Sequence, residues 1–143
     1  MKKILVALDG SLRAPHVLAY AVNLASAMGG SLLLFRSYTV PPDLRLAWPL
    51  PDEALELGLR ERAQAELDEL GKAVPKELLG GVRVSAGDAW QAICSVAREE
   101  GAELIVLGSH GYGGIDLLIG TTAARVVNHA DRPVLVVRPI GGA

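Results

Sequence analysis

A chain of 143 residues, half of them hydrophobic, has the size of one compact domain and can bury a substantial core. With 14 Lys/Arg against 16 Asp/Glu, the formal net charge is −2, and no long basic cluster appears, which argues against nucleic acid as a partner. One cysteine forms no internal disulfide, no apolar run approaches the roughly 20 residues that cross a bilayer, and the run after Lys2-Lys3 stops at Asp9, short of a signal peptide; the expected setting is the cytoplasm, away from any membrane.

Ile4 to Leu8 is almost wholly apolar, as expected of a parallel strand covered on both faces. Asp9-Gly10-Ser11 ends it. Ser11 is placed to cap a helix reaching about Met28, with Val17, Leu18, Ala21, Val22, Leu24 and Ala25 in its apolar stripe; Pro15 is tolerated in the first turn, and Gly29-Gly30 stops the helix. Leu32 to Phe35 reads as a second buried strand, with Arg36 at its mouth. Pro41, Pro42, Pro49 and Pro51 predict a loop without regular structure over most of Ser37 to Pro51, either a binding loop or a packed excursion.

Asp52 is the expected cap of the next helix, where Leu55, Leu59, Ala63, Leu67 and Leu70 recur at helical spacing; Arg62 and Glu66, four apart, can pair on its solvated face. Val74 to Gly81 reads as a connector and Val82-Arg83-Val84 as a short third strand. Asp88 with Gln91 resembles a capping box for a helix ending at Gly101. Trp90, Ile93, Cys94 and Ala97 share one side of that helix, so Cys94 is expected to be a buried, unreactive thiol. Leu104 to Leu107 forms the fourth strand, a helix runs from just beyond Gly120 to about His129, and Val134 to Val137 is the last strand. Five apolar strands alternating with helices, with no hairpin signal, specify an α/β domain, 1–143, built on an open parallel sheet with helices on both faces.

The stretch Gly108 to His129 departs most from what a core requires. Four glycines fall within seven residues from Gly108 to Gly114, and Gly120 precedes Thr121-Thr122. Such a loop can turn several N–H groups toward one anion, and a helix starting beyond it adds free donors and the positive end of its dipole. The alternative is glycines needed only for tight turning. In a doubly wound sheet ligands bind beyond the carboxyl ends of the strands where their order reverses. Asp9, Arg36 and the Gly108 loop all follow strands. Beside bound phosphates Asp9 would suit a divalent metal such as Mg²⁺ or a ribose hydroxyl; its plain alternative is a turn residue. There is no Gly-x4-Gly-Lys-Ser/Thr motif and no Cys-x2-Cys or His-x3-His spacing, so neither a phosphate-binding lysine nor structural zinc is expected. His110 reads as bracing the loop or as an acid–base group. Binding is better supported than turnover, because backbone donors do little for charge developing on a transferring phosphoryl group.

The opening Lys3 to Ser11, the Gly108-Ser109-His110-Gly111 loop, Gly120-Thr121 and the ending Ala130 to Arg138 together resemble the universal stress protein family, over nearly the whole chain. The resemblance implies a Rossmann-like sheet in order 3-2-1-4-5, a homodimer, and in one subgroup ATP or AMP bound by Gly-x2-Gly-x9-Gly-Ser/Thr. It implies a cradle of Gly108, Gly111, Gly120, Thr121 and Thr122, with Asp9 and backbone groups near Ala7 and Arg36 approaching the nucleotide. Two departures stand out: eight residues, not nine, separate Gly111 from Gly120, and Arg36 occupies a position that is usually apolar. A last strand at a sheet edge would need covering, and pairing of Val134 to Val137 with a second copy supplies it. The expected function is an adenine-nucleotide-binding stress-response regulator; the alternative is a dimeric interaction module that binds no nucleotide.

Overall fold

The computed structural model describes residues 2–47, 51–109 and 119–139. In chain order the elements are β1 (Lys2–Ala7), α1 (Ala14–Met28), β2 (Gly30–Tyr38), α2 (Pro42–Ala47), α3 (Asp52–Gly71), β3 (Leu79–Ala86), α4 (Ala89–Glu100), β4 (Leu104–Gly108), α5 (Thr121–His129) and β5 (Val134–Val137). The strands form one sheet in order β3-β2-β1-β4-β5, every neighbouring pair parallel, which is the order the resemblance implied.

The period-two alternation of side chains splits the apolar runs between two cores. Ile4, Val6, Leu32, Leu34 and Val106 face α1 and α3, meeting Val17, Leu18, Ala21, Ala63 and Leu67. Leu5, Leu33, Phe35, Ile105 and Leu107 face α4 and α5, meeting Ile93, Val96, Ala97, Ala123 and Val126. Strands covered on both faces need no polar alternation, which is why β1, β2 and β4 read as unbroken apolar runs. Each fully buried Leu or Ile contributes on the order of 2 kcal/mol to holding these layers together. The helices stop where the sequence suggested: Gly29 and Gly101 take left-handed conformations, φ 69° and 65°, closing α1 and α4.

Five local expectations change. Ser11 does not cap α1: the helix starts at Ala14 with Arg13 in the capping position, and Ser11 Oγ accepts the Arg13 N–H at 3.2 Å in a turn before it. Asp52 lies inside the first turn of α3 after Pro51, and Asp88 occupies the α4 cap position with no side-chain bond to the helix; Gln91 is exposed and makes no capping box. The Ser37 to Pro51 span is more regular than its prolines suggested. β2 continues to Tyr38, whose carbonyl accepts the Gly87 N–H at 3.0 Å, and Pro42 begins a short helix, where its missing N–H costs nothing. β3 starts at Leu79, because Gly80 lets the chain pass close to Ser31 and the Leu32 carbonyl where the β2–β3 register shifts.

Candidate functional site

The chain leaves β1 toward β2 and β3, then returns past β1 to form β4 and β5, so strand order reverses between β1 and β4. A cavity of about 460 Å³ opens there, beyond the carboxyl ends of β1, β2 and β4. Ala7, Leu8 and Asp9 line it from β1, Phe35, Arg36 and Ser37 from β2, and Leu107 and Gly108 from β4. Ala14 and Val17 of α1 and Ala89 and Ile93 of α4 add apolar wall, and Gly120 to Ala123 present the start of α5.

On the β4 side the donors are backbone and hydroxyl. Gly120 is the N-cap of α5 without a side-chain cap, so the first-turn N–H groups of the helix have no intrahelical acceptor. Thr121 and Thr122 are exposed at the cavity, and the α5 dipole places partial positive charge there. Ser109 fixes this end: it is 1% exposed, its N–H donates to the Val137 carbonyl and its carbonyl accepts the Gly120 N–H, both at 3.0 Å. Its Oγ is buried without a hydrogen bond among the described residues.

On the β2 side the groups are charged. Arg36 donates through Nη1 to Glu66 of α3, and Glu66 also accepts from Arg62 Nε at 3.1 Å. The Arg36 hydrogen bond, then that of Arg62, holds the Glu66 carboxyl below its ordinary range. The guanidinium rests against the β1–α1 turn, close enough that a Cβ on Gly10 would lie 3.0 Å from Arg36 Nη2. Asp9 Oδ1 accepts the Ser11 N–H at 3.0 Å, an Asx turn that orients the carboxylate at the mouth of β1.

Seven residues singled out from the sequence, Ala7, Asp9, Arg36, Gly108, Gly120, Thr121 and Thr122, therefore line one cavity. Gly111 and His110 lie outside the described residues. Sequence reasoning missed the apolar walls, Val17, Phe35 and Ile93, because each also satisfies a core pattern; their place in the carboxyl half of β2 or near the start of a helix is the signal that was available. It also treated Glu66 as a surface charge. No cluster of three or more metal-ligating side chains occurs among the described residues. Cys94 is buried in the α4 core as expected, where burial raises its thiol pKa. No described helix is long and apolar enough to cross a membrane.

Residues 1–138 match the family model of the universal stress protein family. A universal stress protein of Thermus aquaticus is 38% identical over 140 residues, covering 96% of this chain and 98% of its own. Universal stress protein MJ0531 of Methanocaldococcus jannaschii is 30% identical over 145 residues, covering 96% of this chain and 82% of its own. Among solved structures, protein MJ0577 superposes with a TM-score of 0.81 at 23% identity, with 96% of each chain covered. A universal stress protein in complex with cAMP gives a TM-score of 0.63 at 22% identity over 96% of each chain. One from Archaeoglobus fulgidus in complex with dAMP gives 0.58 at 23% identity, over 96% of this chain and 98% of its own.

Proposed function

The chain belongs to the universal stress protein family, and from that premise we propose that it binds an adenine nucleotide, ATP or AMP, as a single-domain, dimeric stress-response regulator. The observation that carries this reading is the convergence of Ala7, Asp9, Arg36, Gly108, Gly120, Thr121 and Thr122 on one cavity at the strand-order reversal. Its two ends differ in chemistry. The α5 N-terminus, with Gly108 and the two threonines, suits phosphate; the apolar lining from Val17, Phe35 and Ile93 suits a base; Asp9, at the mouth of β1, suits a ribose hydroxyl or a phosphate-bound Mg²⁺. Family members solved with cAMP and with dAMP support a nucleotide in this fold.

Binding rather than turnover is the role we assign. Among the described lining residues Arg36 is the only cationic side chain, and it is already bonded to Glu66, leaving little to stabilise charge on a transferring phosphoryl group. The dimer is assigned to β5, which lies at the sheet edge with Val134, Leu135 and Val136 only partly buried. One observation favours a second reading, an interaction module of the same fold without nucleotide: the eight residues between Gly111 and Gly120, one short of the nucleotide-binding spacing. Isothermal titration with AMP and ATP, with and without Mg²⁺, separates the two. Saturable binding with one site per chain supports the nucleotide reading; no heat and no thermal stabilisation support the module.

A further inference from the structure

A second, more open groove of about 310 Å³ adjoins the first cavity, and the two share Asp9, Gly10, Ser11, Ala14 and Arg36. Its far wall is Glu66, Glu69 and Leu70 of α3, none of which lines the first cavity. Arg36 lines both spaces, and its guanidinium is bonded to Glu66 on the groove side while lying against Gly10. Because Arg62 also donates to Glu66, the carboxylate is held on the α3 surface and anchors Arg36 in turn. On the nucleotide reading given above, we propose that Arg36, positioned by Glu66, is a size-determining residue: it partitions the two spaces and restricts the site to mononucleotides, whereas its withdrawal joins the groove to the cavity and admits a ligand with a second nucleoside unit.

A long side chain held at both ends is a better wall than a short apolar one, since displacing it costs an ion pair as well as packing. Specificity of this kind is a difference of affinities, set by what the wall excludes. The test compares AMP with diadenosine tetraphosphate by titration calorimetry on wild type, Arg36→Ala, Arg36→Lys and Glu66→Ala. Wild type is expected to prefer AMP. Arg36→Ala and Glu66→Ala should each shift the AMP-to-dinucleotide affinity ratio toward the dinucleotide by about tenfold or more, and Arg36→Lys, which keeps length and charge, should restore most of the wild-type ratio. Equal loss of both ligands in the Ala variants, or an unchanged ratio with melting temperatures intact, overturns the partition while leaving nucleotide binding standing. Failure of wild type to bind either ligand overturns the nucleotide reading, and this proposal with it.

Discussion

The Gly120 N–H donates to the Ser109 carbonyl at 3.0 Å, so the two residues flanking the glycine-rich segment are tied directly to each other. Ser109 is in turn bonded through its own N–H to Val137 at the end of β5. Backbone bonds thus hold Ser109 and Gly120 together and tie both to the end of β5. Gly108 on one side of the segment and Gly120, Thr121 and Thr122 on the other line the same cavity.

That arrangement makes the threonine hydroxyls separable from the fold. Thr121→Ala with Thr122→Ala removes two exposed donors without touching the Gly120–Ser109 bond, and should weaken AMP binding by about 10- to 100-fold, the scale of hydrogen bonds to a charged group. Calorimetric affinity, with melting temperature as the control, checks it. An unchanged affinity removes these hydroxyls from the site.

Asp9 is assigned to the ribose side. Asp9→Ala should therefore lower affinity for AMP more than for 2′-deoxy-AMP, by about tenfold, because only AMP has the hydroxyl to lose. Equal losses would reassign Asp9 to its turn, where it already accepts the Ser11 N–H.

The interface proposed along β5 can be tested at one atom. The Pro133 and Val137 carbonyls bond to Ile105 and Ser109 on the β4 side, so in a strand of period two Val136 turns its N–H toward the open edge. Val136→Pro removes that outward donor while sparing the bonds to β4, and is expected to give a folded monomer by sedimentation velocity where wild type is a dimer. A wild-type monomer at micromolar concentration, or a dimeric variant, contradicts the assignment.

Acid should loosen the α4–β5 corner. Arg132, then Arg98, lowers the Asp131 carboxyl pKa from 3.8 to about 2. A group depressed on folding contributes stability that is fully present above its unfolded pKa and lost as pH falls through the folded one. Asp131→Asn should therefore melt below wild type at neutral pH, with the gap closing as pH falls from 3.8 to about 2. Glu66 and Glu100, also held low by arginine or lysine partners, act in the same direction in wild type. A gap that persists unchanged at pH 2 would show that the residue's effect is not electrostatic.

How much of this was legible beforehand varies with the physics involved. The sheet was readable because β1, β2, β4 and β5 are buried or half-buried runs at strand length and Gly29 and Gly101 punctuate the helices that follow and precede them. Ser11 and Asp52 misled because cap-forming residues also serve in turns and in first helical turns, and only the backbone geometry decides which; Asp88 does take the cap position of α4, but without the side-chain bond that a capping box needs. Asp9, Arg36 and Gly108 stood out as polar or flexible residues directly after apolar runs. Glu66 did not, since its role depends on α3 crossing the end of β2, a relation between positions 30 apart that no local pattern encodes. Gly10 is similar: what narrows the space for a side chain there is Arg36, which the turn's own sequence does not reveal.

The central claim, that the cavity past β1, β2 and β4 holds an adenine nucleotide in a dimer, is tested most directly by native mass spectrometry of freshly purified protein, followed by denaturation and identification of any released small molecule. The account predicts a dimer that carries, or takes up on addition, one AMP or ATP per chain. A clean apoprotein that gains no mass with either nucleotide and shows no thermal shift with ATP and Mg²⁺ would contradict it.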